Sequence, residues 1–354
     1  MTDCAHMDLV DYSPASAAPA EPTFSVCIAN YNGSALLDDC LASIFAQQGD
    51  IQFEIVVHDD ASTDDSVRLL REKYPQVGLL VSHGNVGFCV ANNRMVECAR
   101  GEFILLLNND AALFPNALTT LLEAARAQPS GVLTLPQFDW ASGELVDRGC
   151  LLDPFYNPVP NRDMKLRDVA YGIGACLCMP RALWNDLGGF PEWFESIAED
   201  LYICCLARLR GLPMRVTAGS GYRHRQGASF GGNRVVASKL ATTFRRRRLS
   251  ECNKTATLIL CTPTAFVWLL LCVHTTLLFW EGIALCILRM DFHIWINIYG
   301  PTLMYALKAP FVLREKRALV QARRSVGLRD YLSVFTWVPH KLRMLRRHGV
   351  PIVR

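Results

Sequence analysis

Gly101-Glu102-Phe103-Ile104-Leu105-Leu106-Leu107-Asn108-Asn109-Asp110 decides how this chain is read. An unbroken apolar run between a glycine and a polar turn is what a central strand covered on both faces requires. The strand ends in a loop, and the loop carries Asp110. In open α/β sheets ligands bind beyond the carboxyl ends of the strands. Asp110 is therefore the first candidate for holding a metal against a phosphate.

The pattern repeats on either side. Residues 24–29 read as a strand running into the turn Asn30-Tyr31-Asn32-Gly33, and 34–48 have helical spacing. Residues 53–57 are a second strand, ending at the acidic loop Asp59-Asp60-Ala61-Ser62-Thr63-Asp64. A helix capped by Ser62 or Thr63 and running to about Lys73, a helix near 88–99 and strands at 77–81 and 132–135 complete the alternation, with Pro115 suited to the first turn of a further helix. Strands alternating with helices of this length predict an α/β fold with a mostly parallel central sheet and flanking helices. Between 137 and 170 the pattern weakens into loops and a hairpin. It resumes with a strand at 172–179, a helix at 181–187, a helix from Glu199 to 210 and a last strand at 213–217.

The formal charge of +3 over 354 residues hides an asymmetry. Residues 1–244 hold 18 Lys/Arg against 28 Asp/Glu, and residues 245–354 hold 18 against 5. An acidic front is joined to a basic, apolar back, and mean hydropathy is +0.17. Residues 255–280 contain no formally charged side chain. As one helix they would reach about 39 Å, enough for a bilayer core of about 30 Å, with Pro263 as a kink. A second apolar stretch runs over 292–313. Arg245 to Arg248 precede the apolar region, and ten Lys/Arg against Glu315 and Asp330 follow it between 314 and 347. Basic flanks on both sides place both ends on the cytoplasmic face, with an even number of crossings or helices lying in the interface. The expected division is a loose N-terminal arm at 1–22, a catalytic domain at 23–244 and a membrane-associated helical region at 245–354. The alternative for the last is a buried soluble bundle.

The 14 cysteines form no paired CxxC, which argues against a zinc knuckle and for reduced thiols packed in a core. No secretory leader pattern opens the chain. The basic residues flank apolar segments without interleaved aromatics, so nucleic acid is not an expected partner.

Taken singly, the polar motifs are ambiguous. Asp59-Asp60 could accept from a base or ribose, or simply make an Asx turn. Glu199-Asp200 could supply a general base, or complement a helix dipole. His224 could be a metal ligand or a surface histidine. Together they resemble a family. From Phe24 to Gly232 the chain is similar to the inverting family 2 glycosyltransferases of the GT-A fold, most of all the bacterial rhamnosyltransferase-type branch. The residues carrying the resemblance are residues 25–32, His58-Asp59-Asp60-Ala61-Ser62-Thr63-Asp64, Asn85-Val86-Gly87-Phe88 with Asn92-Asn93, Leu107-Asn108-Asn109-Asp110, Gly188-Gly189-Phe190, Glu199-Asp200, and His224 with Gly227 and Ser229.

The resemblance implies that Tyr31, Asp59, Asp60, Asn93 and Asn109 hold a nucleotide-diphosphate sugar. It implies that Asp110 and His224 bind a divalent cation, Mg²⁺ or Mn²⁺, and that Asp200 is the catalytic base. Asn108 stands where a strict DxD motif has its first acid, and residues 192–198 match the usual approach to the Glu-Asp pair only loosely. The implied acceptor is a saccharide, lipid-linked at an anionic membrane. Two other classes fit less well. One is a nucleotide-sugar binder without turnover. The other is a sugar nucleotidyltransferase, which would want a basic residue in the 30–33 loop where none stands.

Overall fold

The computed structural model describes residues 10–227, 234–236, 239–350 and 352–353. In chain order the strands are β1 (Val10–Ser13), β2 (Phe24–Asn30), β3 (Phe53–Asp59), β4 (Gly78–Ser82), β5 (Phe103–Leu107), β6 (Ala111–Leu113), β7 (Val132–Thr134), β8 (Gln137–Asp139), β9 (Leu145–Asp147), β10 (Cys150–Leu152), β11 (Pro158–Pro160), β12 (Cys176–Pro180), β13 (Met214–Val216) and β14 (Tyr222–His224). The helices are α1 (Ser34–Phe45), α2 (Ser66–Lys73), α3 (Phe88–Cys98), α4 (Ala117–Ala127), α5 (Arg181–Leu187), α6 (Glu199–Leu209), α7 (Phe244–Cys261), α8 (Phe266–Arg289), α9 (Gly300–Val312), α10 (Arg314–Ala322), α11 (Leu328–Tyr331) and α12 (His340–His348).

Eight strands form the central sheet in the order β1-β4-β3-β2-β5-β12-β7-β13. The β4-β3-β2-β5 block is parallel, as is the β7-β13 pair, while β12 runs antiparallel between β5 and β7. Alternation along the strands divides two cores. Phe24, Val26, Ile28 and Leu105 pack toward Leu37, Leu41 and Ile44 of α1. These three recur at helical spacing, which is why residues 34–45 coil. Cys27, Val56, Ile104 and Leu106 face the other way, toward Met95 of α3 and Leu201, Ile203 and Leu206 of α6. The central strands are buried on both sides, as their composition requires.

Three expectations are corrected. Residues 10–13 are no loose arm: β1 pairs antiparallel with β4, buries Val10 and covers what would otherwise be an open sheet edge. Residues 1–9 lie outside the described residues. The segment 137–170, expected as loops and a hairpin, holds the hairpin β10-β11 and also β8 and β9, which join β6 and β14 in a second sheet ordered β6-β14-β8-β9. The uncharged run at 255–280 is not one kinked helix. It is the buried second half of α7, a break at Thr262-Pro263-Thr264 with Thr264 at φ 63°, and then the first part of α8.

Nor is there a boundary at residue 244. Ala256, Leu258, Ile259, Leu260 and Cys261 of α7 belong to the same core as α3 and α6. Thr243 Oγ1 accepts from Arg246 N at 3.2 Å, an N-cap that starts α7 directly after the expected catalytic domain. Every described cysteine is free.

Candidate active site

The carboxyl ends of β3, β2 and β5 lie side by side, and buried polar side chains tie them together. Asn109 Nδ2 donates to Asn30 Oδ1 at 2.8 Å, and Asn30 Nδ2 donates to Asp59 Oδ2 at 2.8 Å. Asp59 also accepts from Ser62 N at 2.9 Å and Ser62 Oγ at 2.7 Å. Asp59 and Asn109 are therefore at the expected edge, but their side chains fix the loops. Asp60 accepts from Val86 N at 2.7 Å and Gly87 N at 2.9 Å, anchoring the turn that opens α3. Burial raises its pKa, and those two N–H donors partly offset the rise. Tyr31 stands 51% exposed at the tip of the same edge, its ring open to stack on a flat ligand.

Asn93 requires a correction. Its Oδ1 accepts from Phe190 N at 2.9 Å, and its Nδ2 donates to Phe190 O at 3.0 Å and Glu192 Oε1 at 3.2 Å. The amide clamps α3 to the turn after α5, so it supports the site's wall and is not directed at a nucleotide sugar.

Asp110 follows β5 and is buried. His224, the last residue of β14, pairs with Ala111 across the second sheet, which brings His224 Nε2 to 3.0 Å from Asp110 Oδ1. The other ring nitrogen meets Gln137 Oε1 at 3.2 Å, and Tyr222 donates to that same oxygen at 2.9 Å. With Nδ1–H on Gln137, the Nε2 lone pair points to the Asp110 carboxylate, the arrangement that a cation between them would use. One carboxylate and one imidazole suit Mn²⁺ or Mg²⁺ when phosphate oxygens complete the shell. No group of three or more protein ligands occurs among the described residues, so those oxygens would be indispensable.

The Glu-Asp pair lies within the same edge. Asn108 N donates to Ala175 O at 3.1 Å, and the next residue back, Gly174, donates its N–H to Asp200 Oδ2 at 2.7 Å. A Cβ on Gly174 would stand 3.2 Å from that oxygen, so glycine permits the approach. Tyr171 donates to Oδ2 at 2.8 Å, and Leu201 N to Oδ1 at 2.7 Å. Burial raises the Asp200 pKa against these three donors. Burial, with the neighbouring Asp200 charge, also pushes Glu199 up to about 8. Burial thus raises both carboxyls, and the proximity of the two disfavours the doubly charged pair.

The approach to this pair is strained. Glu195, Ile197 and Ala198 all have positive φ (61°, 71° and 70°), at a cost of about 1–3 kcal/mol each. Asn253 of α7 holds the loop: its Nδ2 faces Phe194 O at 3.0 Å, Ser196 O at 3.1 Å and Ile197 O at 2.8 Å. Arg245 bonds Glu195 at 2.8 Å, and the charge of Arg246 acts on Glu199, Tyr171 and Asp200. Sequence reading missed Tyr171, Gln137, Asn253 and Arg246, because each acts across a long stretch of chain.

Two measurements check this assembly. Asn253→Ala releases three backbone acceptors, and losing such buried bonds costs about 1–3 kcal/mol. It is expected to lower the urea unfolding midpoint by a corresponding amount; an unchanged midpoint would remove the loop clamp. For Glu199 the folded pKa lies above the unfolded one. Its contribution to stability is therefore full below the unfolded value and is lost as pH rises toward about 8. Glu199→Gln is expected to flatten this slope and raise the unfolding midpoint at pH 8.5 but not at pH 5. Parallel slopes in the two proteins would contradict the assignment.

Residues 25–184 match the family described as Glycosyl transferase family 2. Chondroitin synthase of Escherichia coli is 31% identical over 51% of this chain and 26% of its own length. The N-acetylglucosaminyl-diphospho-decaprenol L-rhamnosyltransferase of Mycobacterium tuberculosis is 26% identical over 42% of this chain and 58% of its own length. The chain spans half or less of the first curated relatives it matches. The crystal structure of S. aureus TarS residues 1–349 with UDP-GlcNAc superposes with a TM-score of 0.57 at 20% identity, over 88% of this chain and 90% of that one. The strand order and these likenesses agree: residues 25–184 match Glycosyl transferase family 2, and the chain has the GT-A fold.

Proposed function

We propose that the protein transfers a sugar, with inversion, from a nucleotide-diphosphate donor to a hydroxyl of a saccharide acceptor. The acceptor would be lipid-linked, at the cytoplasmic face of a membrane, in the building of a surface polysaccharide or glycoconjugate. The observation that carries this reading is the backbone link from the Asp110 loop through Ala175 and Gly174 to Asp200. It brings the Asp110–His224 pair and the Asp200 carboxylate to one sheet edge, which supports a phosphate-side role for the pair and a proton-accepting role for Asp200. In-line displacement needs such opposed groups around one anomeric carbon.

In this reading Tyr31 stacks on the base, while Asp59, Asp60 and Asn109 hold the loops that shape its pocket. Asp200 takes the acceptor hydroxyl's proton, and Tyr171, Gly174 N–H and Leu201 N–H hold its carboxylate in place. Asp110 and His224 would hold the divalent cation, which supplies charge stabilisation to the departing diphosphate. The TarS likeness supports a nucleotide-sugar donor, and the rhamnosyltransferase relative supports a rhamnosyl or related hexosyl group and a lipid diphosphate acceptor.

The test is a screen of nucleotide sugars with the purified full chain in detergent, reading free nucleoside diphosphate upon addition of acceptor. Donor binding with no release for any acceptor would replace transfer by a binding role. Asp110→Ala is expected to weaken Mn²⁺-dependent donor binding by more than the roughly 10- to 100-fold that losing an outer hydrogen-bond partner costs. An unaltered Mn²⁺ titration by calorimetry removes Asp110 from the cation.

A further inference from the structure

α8 is, among the described residues, the one helix long and apolar enough to cross a membrane. Its packing says otherwise. Val267, Leu270, Leu271, His274, Leu278, Gly282 and Leu285 are buried, at spacings of three and four, so a single stripe faces the protein along the whole helix. Val267 and Leu271 share the core with Cys261; His274 meets Thr255 Oγ1 at 3.0 Å; Glu281 meets Arg247 at 2.7 Å; Leu278 and Leu285 meet Ile298 and Tyr299. As α8 runs from residue 274 to 281, its partners on α7 run from 255 back to 247. The two helices therefore lie antiparallel side by side. A bilayer wrapped around α8 would also have to take in the Arg247–Glu281 pair, each about one-quarter exposed, and exposed charge is costly in the bilayer core.

The opposite face of α8 is apolar where a soluble surface helix would be polar. Trp268, Leu269, Val273, Leu277, Trp280 and Leu288 are exposed, Trp280 to 61%. Phe292, Leu307, Phe311 and Val312 continue the exposed apolar surface in and before α9, Phe311 at 82%. Beside this face an open hollow of ≈ 360 Å³ is lined by Thr264, Arg314, Arg317, Ala318, Gln321 and Arg324, with no acid among them. Arg317 is committed there: it donates to the carbonyls of Thr262 (2.9 Å) and Thr264 (3.0 Å) and lies over Trp268. Its charge, with Arg314 and Arg324, still makes the hollow a seat for an anion.

We infer that α8 lies flat on an anionic bilayer, its Trp268–Leu288 face sunk into the interface and lipid phosphate seated against Arg314 and Arg324. The inference rests on the membrane association proposed above and adds its orientation and headgroup site. An amphipathic helix bound this way needs an apolar face and neighbouring basic residues, and both are present.

The test uses the full chain, freed of detergent, with sealed vesicles of phosphatidylcholine alone or mixed with phosphatidylglycerol. The expected result is sedimentation with the mixed vesicles at least about tenfold tighter than with neutral ones, weakened by salt and by Arg314→Ala/Arg324→Ala. Depth is read by bromolipid quenching in Trp268→Phe and Trp280→Phe, the missing signal giving each tryptophan's depth. Twelve residues separate the two, about 18 Å along the axis. The two also lie about 120° apart around the helix, so depths within about 10 Å of each other, the width of the helix, support the flat seat; a difference close to the full length of about 18 Å means a crossing helix and overturns it. Sedimentation indifferent to phosphatidylglycerol or to the double substitution overturns the headgroup site. No vesicle binding, with or without self-association through this face, overturns the membrane association itself; nucleoside diphosphate release in detergent is unaffected by any of these outcomes.

Discussion

Asp200→Asn is expected to lower kcat by about a hundredfold to ten-thousandfold, the range a general base contributes, with nucleotide-sugar affinity unchanged. The exchange keeps size and removes the proton acceptor. Asp200 sits on the α6 side of the site, whereas Tyr31, Asp110 and His224 sit around β2, β5 and β14, so donor contacts are spared. The amide also places an N–H against Leu201 N–H, Gly174 N–H or Tyr171 OH, all of which donate to the carboxylate. Part of the loss could therefore be structural. Tyr171→Phe separates the two effects. It removes a donor that lowers the Asp200 pKa, so the acidic limb of the rate profile should move to higher pH with the fold intact. Steady-state rates against pH, with calorimetric donor binding, decide the matter. Preserved turnover in Asp200→Asn, or lost donor binding, ends the assignment.

The largest effect on stability is expected at Glu251. It is fully buried in α7, with Lys341 Nζ at 2.8 Å, Lys254 Nζ at 3.1 Å and Arg247 Nε at 3.3 Å. Glu281 of α8 joins through Arg247 and Lys341, both at 2.7 Å. Burial alone would raise the Glu251 pKa, but the three cations outweigh it and hold the carboxyl well below the usual range. Its stabilisation is thus present above the unfolded pKa and lost only as pH falls far into the acid range. Glu251→Ala leaves buried Lys254 and the half-buried Arg247 and Lys341 with Glu281 as the one remaining carboxylate of the cluster, and breaking a buried cluster costs about 3–5 kcal/mol, less where water reaches it. The urea midpoint should fall accordingly. Glu251→Met with Lys254→Met should recover part of the loss, because apolar replacement of a whole buried pair is often tolerated. A Glu251→Ala protein as stable as the parent would show that water reaches the cluster.

What was legible in the sequence depended on how local the cause was. The strand into Asp110 could be read because an all-apolar segment flanked by turn residues has few other uses. Glu199-Asp200 could be read because two acids opening a helix are conspicuous. Tyr171 could not, since its backbone is held by Cys150 of β10, inside the segment that reads as irregular. Gln137 lay in a segment too irregular to show β8, and His224 gained meaning only when β14 paired with β6. Val10-Asp11-Tyr12-Ser13 has too little apolar character to announce an edge strand. The region after 244 misled for a different reason. An uncharged stretch suits a helix buried in protein as well as one in lipid, and residues 255–280 join the buried end of α7 to an α8 that is buried along one stripe only.

Consecutive arginines at the head of α7 divide their attention: Arg245 goes to Glu195, Arg246 toward Glu199, and Arg247 to Glu281. Trimming the gene before this triplet, as one would to obtain a compact crystallisable enzyme, would leave the nucleotide half intact but unlatch the proton-accepting half. The apolar tail is thus part of the wall around Asp200, and a shortened or chimeric chain would have to retain α7 to keep that wall.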